Sequence, residues 1–240
     1  QQRTNDFSQY RQDDAGYDLI LSSGFLAFAR HAGVLAALET QKVPINAVVG
    51  TSSGSLVGAL WCAGLPVARI SEELARHRPI TLMRPNPRPW RGLFRLDAMI
   101  RYLETLLPSS FDDLARPLAV GVIDEEGRYQ LLREGPLAHA VAASCAMPYI
   151  FQPIVLNEQP YQDGGTADRL GVDAWRALRP KARAIAHQVA RTAGNDVTTD
   201  LRDITMINTP RSGANFLSLG DFQGQLREAE TLAEAALRQS

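Results

Sequence analysis

Apolar and polar positions along the chain follow two different periods, which predict strands and helices in turn. Short apolar runs are typical of strands. The predicted strands are residues 17–21, 45–49, 117–123, 128–132, 149–156, 182–189 and 204–207. Apolar residues spaced by three or four positions are typical of helices. The predicted helices are residues 26–40, 54–63, 66–78, 96–107, 136–143 and, for most of its length, 211–238.

The first of these elements follow the order strand, helix, strand, helix over residues 17–63. Gly64 and Pro66 come after the second helix, as is common where helices end. This order is typical of βαβ units, so the predicted fold class is α/β with a central, mostly parallel sheet between helices. Residues 1–16 are polar and lack an apolar period, and they are predicted to be a flexible tail before a single domain at 17–240.

Composition excludes several classes of protein. The 240 residues are 45% hydrophobic and carry 25 Lys and Arg against 26 Asp and Glu. This balance argues against nucleic-acid binding and against a polybasic membrane anchor. Cys62 and Cys145 are too few for a disulfide scaffold or a cysteine zinc site, and no pattern predicts another metal site or a cofactor. No apolar run approaches the roughly 18 residues of a membrane-spanning helix, so a soluble globular protein is expected.

The strongest chemical signal is a Gly-x-Ser-x-Gly motif at residues 50–54, between a predicted strand and a predicted helix. A sharp turn there would hold Ser52 in a strained conformation, and Gly50 and Gly54 would remove the Cβ atoms that would otherwise clash. The hydroxyl would project at the helix N-terminus, where free N–H groups favour negative charge. Ser52 is therefore the candidate nucleophile.

A nucleophilic serine needs a base, and the main candidates are His187 and Asp163. His187 lies on a predicted strand between Ile185 and Val189, a position more typical of a core histidine. Asp163 begins the sequence Asp-Gly-Gly, which by itself is more typical of a turn. The residues alone leave open both a direct Ser52–Asp163 pair and a triad that includes His187.

Three segments resemble the patatin-like phospholipase family of lipid acyl hydrolases. Residues 19–39 resemble its first strand, oxyanion loop and first helix, and residues 50–60 resemble its nucleophile elbow. Residues 137–165 resemble its approach to the catalytic aspartate, with Ala-Ser-x-Ala-x-Pro at 143–148. The segments occur in family order, and the resemblance extends from about residue 17 to residue 177.

The resemblance implies a three-layer α/β sandwich and a Ser–Asp dyad, with Ser52 as the nucleophile and Asp163 as its base. It implies hydrolysis of carboxylic esters of phospholipids or lysophospholipids through an acyl-enzyme, without a metal or other cofactor. The expected partners are the lipid substrate and, transiently, the membrane or micelle surface that carries it, with no nucleic acid. A cytoplasmic location with peripheral membrane contact is favoured.

The oxyanion loop departs from the family pattern Gly-Gly-Gly-x-Arg-Gly, to which residues 23–28 correspond. Only the middle glycine, Gly24, is kept, and Ala27 replaces the arginine. The resemblance implies an oxyanion hole formed by the backbone N–H groups of Gly24, Phe25 and Ser53, since N–H donors do not depend on side-chain identity. The changes predict a more apolar acyl site with a weaker preference for anionic head groups.

Two other functions remain open at this point. The chain could be a different esterase or thioesterase that uses Ser52, Asp163 and His187 as a triad, or a catalytically impaired module that binds an acyl chain. A further segment, residues 84–95, combines four arginines with Trp90 and Phe94. This composition fits either a flap at a lipid interface or an ordinary surface loop.

Overall fold

The computed structural model describes residues 5, 7, 15–191, 196 and 199–239. These residues contain ten strands and seven α-helices. The strands are β1 (Tyr17–Leu21), β2 (Ile45–Thr51), β3 (Arg84–Pro85), β4 (Phe94–Arg95), β5 (Leu118–Ile123), β6 (Tyr129–Leu132), β7 (Ile154–Leu156), β8 (Gln159–Asp163), β9 (Ala184–Val189) and β10 (Ile204–Thr209). The helices are α1 (Phe28–Thr40), α2 (Ser53–Cys62), α3 (Val67–Arg76), α4 (Asp97–Glu104), α5 (Leu137–Cys145), α6 (Val172–Leu178) and α7 (Phe222–Leu237).

The main sheet has the strand order β10-β9-β1-β2-β5-β8-β7, with β6 also paired to β5. The strands from β10 to β5 are parallel, whereas β6, β8 and β7 pair antiparallel. The predicted α/β fold with a central, mostly parallel sheet is confirmed. Strands β3 and β4 form a separate two-stranded ribbon.

Side chains along each strand alternate between the two faces of the sheet, as β1 illustrates. Leu19 and Leu21 belong to the larger apolar core, whereas Ile20 belongs to a smaller core on the opposite face. Helices α1, α2 and α5 supply residues to the larger core, and α6 supplies Trp175 to the smaller one. Both faces of the sheet are therefore covered, which explains why its central strands have continuous apolar sequences.

The predicted strand at 149–156 is shorter in the structure, where only Ile154–Leu156 is a strand. Tyr149 has a φ of +69°, and this left-handed conformation interrupts an extended chain. Pro160 and the Asp-Gly-Gly turn obscure the strand pattern of β8, which the sequence did not predict. The seven-residue helix α6 was also missed.

The predicted helix at 211–238 is confirmed only in its second part, as α7 begins at Phe222. Gly220 has a φ of +68°, which a helix does not allow. Asp221 then caps the helix, because its Oδ1 accepts the N–H of Gly224 at 2.9 Å. The polar residues before Gly220 are therefore loop.

The flexible tail predicted at 1–16 lies outside the described residues except at 5, 7, 15 and 16, and it stays a prediction. Of these residues, Phe7 is buried in the smaller core. The side chain of Asn5 donates a hydrogen bond to the carbonyl oxygen of Leu118 at 3.1 Å.

Helix α1 crosses α7 at a close contact that depends on Gly33. A Cβ atom at this position would overlap the carbonyl oxygen of Leu226 and lie 2.8 Å from the Cβ of Ala229. Because the loop at 23–28 leads directly into α1, this contact also fixes the position of that loop relative to the sheet.

We predict that Gly33→Ala lowers the free energy of unfolding by about 1–3 kcal/mol, since the added methyl group meets backbone rather than a movable side chain. Urea unfolding measures this change. Gly58→Ala is the matched control, because Gly58 is also in a helix but its added Cβ would meet a Val48 methyl group at 3.2 Å. Equal stability of the two variants would contradict the close helix crossing.

Candidate active site

Ser52 lies in a sharp turn between β2 and α2, with φ 55° and ψ −122°. This conformation is strained for a residue with a side chain, and the surrounding close packing holds it in place. A Cβ at Gly50 would lie 2.6 Å from the carbonyl oxygen of Gly54, and a Cβ at Gly54 would overlap the carbonyl oxygen of Leu21. Both glycines of the motif are therefore required by close backbone approach.

The hydroxyl of Ser52 contacts the carboxylate of Asp163. Ser52 Oγ donates a hydrogen bond to Asp163 Oδ2 at 2.7 Å, and the other carboxylate oxygen accepts the N–H of Gly165 at 2.8 Å. Asp163 is the last residue of β8, where it pairs with Val122 of β5. The sheet thus brings together two residues that are far apart in the sequence.

Burial changes the acidity of Asp163. Its side chain is almost entirely removed from solvent, and this desolvation raises the pKa of the carboxyl from 3.8 to about 6. The hydrogen bonds from Ser52 and from the N–H of Gly165 lower this pKa in part, because they favour the charged form. The carboxylate is therefore a stronger base than an exposed aspartate and is still ionised at neutral pH.

Ser144, which the sequence did not single out, stabilises the turn at Ser52 through hydrogen bonds. Its Oγ accepts the backbone N–H of Ser52 at 2.7 Å and donates to the carbonyl oxygen of Gly121 at 2.5 Å. The hydroxyl therefore connects the strained turn to β5. The only signal in the sequence was its place in the Ala-Ser-x-Ala-x-Pro segment.

The backbone of Gly24, Phe25 and Ser53 borders the same cavity as Ser52. Within the described residues, the N–H groups of these three residues donate no hydrogen bond to protein atoms. Ser53 Oγ donates to the carbonyl oxygen of Gly24 at 2.7 Å, which joins the loop to the start of α2. Unpaired N–H groups beside a serine hydroxyl are suited to stabilise negative charge on a bound oxygen atom.

Arg169 holds this loop in place, and the sequence gave no indication of that role. Its buried guanidinium donates to Ser23 Oγ at 3.2 Å, to the carbonyl oxygen of Ser23 at 2.8 Å and to that of Val189 at 2.5 Å. The N–H of Ser23 in turn donates to the carbonyl oxygen of Arg169 at 2.8 Å. A Cβ at Gly165 would lie 2.5 Å from Ser23 Oγ, so the segment after Asp163 packs directly against the loop.

The side chain of His187 contacts residues other than Ser52 and Asp163. Its Nδ1 is 2.8 Å from His31 Nδ1, and its Nε2 is 2.8 Å from Thr209 Oγ1. Burial lowers the pKa of His187 well below its ordinary value and that of His31 to about 3, so both rings are neutral at physiological pH. Because both ring nitrogens of His187 have these partners, neither is available to Ser52 or Asp163.

Ser52 borders a cavity of about 730 Å³ that is lined by both apolar and cationic side chains. The apolar lining includes Leu56, Leu74, Leu82, Met83, Leu96, Met99, Leu103, Phe151 and Phe216. The cationic lining consists of Arg169, Arg191 and Arg211, and Ser212, which follows Arg211, donates to the carbonyl oxygen of Phe25 in the loop at 23–28. Asp196 forms ion pairs with Arg169 at 3.1 Å and with Arg191 at 3.2 Å, which leaves a net positive charge there.

The described residues contain no cluster of three or more His, Cys, Asp or Glu side chains suited to hold a metal ion. They also contain no helix with the length and apolar character needed to cross a membrane.

We predict that Asp163→Asn changes the pH dependence of stability. A carboxyl with a raised pKa stabilises the fold below pH 4, and that contribution is lost as the pH rises through about 6. The stability of Asp163→Asn relative to the natural sequence should therefore rise by about 2 kcal/mol between pH 4 and pH 7. Urea unfolding at a series of pH values measures it, and a difference independent of pH would contradict the raised pKa.

The family model of the patatin-like phospholipases matches residues 19–175. An uncharacterized NTE family protein of Mycobacterium tuberculosis is 26% identical over 192 residues, which are 76% of this chain and 53% of the relative. Protein YqhO of Bacillus subtilis is 29% identical over 180 residues, which are 62% of this chain and 60% of the relative. The chain spans little more than half the length of these curated relatives.

The crystal structure of VipD from Legionella pneumophila is similar in fold, with a TM-score of 0.60 at 12% identity. The similarity covers 93% of this chain and 67% of that chain. The structural similarity shows the fold alone, whereas the match to the family model shows the family. That match covers more than half of the sequence and includes Ser52, Asp163 and the loop at 23–28. This chain belongs to the patatin-like phospholipase family.

Proposed function

We propose that the chain hydrolyses carboxylic esters of lipids, with Ser52 as the nucleophile and Asp163 as the general base. The observation that carries this proposal is the 2.7 Å hydrogen bond from Ser52 Oγ to Asp163 Oδ2 at the wall of the cavity. Membership of the patatin-like phospholipase family supports the same class of chemistry.

In this reaction, Ser52 Oγ attacks the ester carbonyl carbon while its proton moves to Asp163 Oδ2. The carbonyl oxygen becomes negatively charged and receives hydrogen bonds from the N–H groups of Gly24, Phe25 and Ser53. The bond to the alcohol then breaks, and the alcohol leaves with the proton from Asp163. Water attacks the acyl-enzyme, gives its proton to Asp163 and releases the fatty acid, and the proton returns to Ser52.

The pKa of Asp163 suits this role. A base works best when its pKa is close to the working pH, and burial raises the pKa of this carboxyl to about 6. Direct contact with Ser52 then makes a histidine unnecessary. The engagement of His187 with His31 and Thr209 supports the dyad over the triad that the sequence left open.

The mixed lining of the cavity supports a phospholipid or lysophospholipid substrate. The acyl chain would contact the apolar lining, because burial there removes its methylene groups from water. The head group would lie toward Arg191 and Arg211, which also line the cavity. These arginines supply positive charge where Ala27 does not, which favours anionic head groups and opposes the weaker preference expected from the loop sequence.

We predict that Ser52→Ala and Asp163→Asn each lower kcat for a lipid ester by about 10³-fold or more, since each removes a group that acts on the reacting atoms. His187→Gln should retain kcat within about tenfold, since that side chain lies outside the proposed dyad. Release of fatty acid measures the rates, and Ser71→Ala, which removes a buried hydroxyl from α3, is the control.

Two results would contradict the dyad. Equal rates for the natural sequence and Ser52→Ala would favour an acyl-binding module without catalysis. Loss of activity in a folded His187→Gln variant, together with activity in Asp163→Asn, would favour a histidine-dependent mechanism. Circular dichroism of each variant separates loss of chemistry from loss of fold.

We also predict that Arg211→Gln lowers kcat/KM for a lysophospholipid with an anionic head group by about tenfold or more, because a charge-assisted hydrogen bond is lost. A monoacylglycerol with the same acyl chain should be hydrolysed at an unchanged rate. Arg227→Gln is the control, because Arg227 is exposed on α7 and does not border the cavity. A similar loss for both substrates would rule out head-group recognition by Arg211.

A further inference from the structure

The arginine-rich segment at 84–95 forms a hydrogen-bonded two-stranded ribbon. Strands β3 and β4 pair within it, with Arg84 opposite Arg95. The side chain of Asn86 closes the turn, because its Nδ2 donates to the carbonyl oxygen of Gly92 at 2.8 Å and its Oδ1 accepts the N–H of Arg88 at 3.0 Å. The backbone of this ribbon is therefore held in a defined conformation.

The ribbon is attached to the segment that follows α5. The N–H of Phe94 donates to the carbonyl oxygen of Ile150 at 2.9 Å, and the N–H of Gln152 donates to that of Phe94 at 2.9 Å. The N–H of Leu93 lies 3.3 Å from the carbonyl oxygen of Tyr149. Gly92 has a φ of +122°, and a Cβ there would overlap the backbone of the same segment.

Three large apolar side chains project from this surface into solvent. Trp90 is 79% exposed, Leu93 is 54% exposed and Tyr149 is 90% exposed. Tyr149 has a φ of +69°, so the backbone adopts an unfavourable conformation where this ring projects outward. We call Trp90, Leu93 and Tyr149 the rim patch. Exposed apolar side chains that share one surface are typical of a contact site.

The charge around the rim patch is positive. The segment 84–95 has four arginines and no acidic residue, although the whole chain has a net charge of −1. Arg95 pairs with Asp97 at 3.4 Å, whereas Arg88 and Arg91 form no ion pair within the described residues. The positive charge is therefore local and available to an anionic partner.

Aromatic rings connect this surface to the cavity. The ring of Phe94 lies 6.4 Å from that of Phe151, which lies 6.3 Å from that of Phe216. Phe151 and Phe216 both border the cavity that contains Ser52. The ribbon that carries Trp90 and Leu93 is therefore packed, through Phe94, against aromatic side chains that line the cavity.

We propose that the rim patch, with Arg88 and Arg91 beside it, is the surface by which the chain docks on membranes that contain anionic phospholipid. Trp90 and Tyr149 have the apolar body and polar tip that favour the membrane–water interface, and the arginines attract the phosphate layer. This inference rests on the proposed function, since it identifies how the cavity meets a lipid substrate. A near-neutral protein needs such a local patch because its overall charge gives no attraction.

Cosedimentation with vesicles of phosphatidylcholine, with and without phosphatidylserine, tests this proposal. The natural sequence should bind the phosphatidylserine vesicles more strongly, and added salt should weaken that binding. Arg88→Glu with Arg91→Glu should lower the affinity for these vesicles at least about tenfold. Trp90→Ala, Leu93→Ala and Tyr149→Ala combined should lower binding to both kinds of vesicle.

The controls change groups of the same kind at other exposed positions. Arg202→Glu with Arg227→Glu changes the net charge by the same amount, and Val155→Ala with Leu201→Ala removes exposed apolar groups outside the patch. Both should bind vesicles like the natural sequence. Equal losses in the control and the rim variants would overturn the proposal, because binding would then follow overall charge or hydrophobicity.

Two further measurements separate docking from catalysis. Ser52→Ala should bind vesicles normally, and the rim variants should hydrolyse a short-chain, water-soluble ester at the rate of the natural sequence. Absence of ester hydrolysis with intact vesicle binding would count against the proposed function alone. Unchanged vesicle binding in the rim variants would overturn the docking surface, as would a rim-dependent dimer that fails to bind vesicles.

Discussion

The hydrogen bond between Ser52 and Asp163 is the constraint on which the rest of the site depends. It requires the end of β2 and the end of β8 to meet, and β5 lies between them in the sheet. The turn that presents Ser52 is strained, so close packing at Gly50 and Gly54 must hold it. Asp163 is buried beside this closely packed turn, and its burial raises the pKa of the carboxyl. The same packing at the ends of β2 and β8 therefore accounts for both the position of the Asp163 carboxylate and its raised pKa.

The loop at 23–28 lacks most of the family's glycines and its arginine, yet side chains from distant segments hold it. Arg169 binds Ser23, Ser53 Oγ binds Gly24, and Ser212 Oγ donates to the carbonyl oxygen of Phe25 at 2.6 Å. In these contacts the carbonyl oxygens of the loop act as acceptors. The N–H groups of Gly24 and Phe25 donate to no protein acceptor within the described residues. The loop thus keeps N–H groups without a protein acceptor, as the proposed oxyanion hole requires, although its sequence has changed.

Local sequence was sufficient to predict the elements that begin the fold. The strands and helices over 17–63 have clear apolar periods, and the motif around Ser52 is contiguous, so both were visible without a structure. Arg169 and Ser144 were missed because their partners, Ser23 and Gly121, are more than twenty residues away and no local pattern connects them. The strand predicted at 149–156 was too long because nothing in the sequence indicates the left-handed backbone at Tyr149.

The central claim is that Asp163 activates Ser52 without a histidine, and covalent labelling by a fluorophosphonate tests it most directly. The account predicts one adduct, located on Ser52 by peptide mass spectrometry. The labelling rate should rise with pH through about 6, as the Asp163 carboxyl loses its proton, and this rise should vanish in Asp163→Asn. An adduct on another serine, or a pH profile that persists in Asp163→Asn and disappears in His187→Gln, would contradict the account.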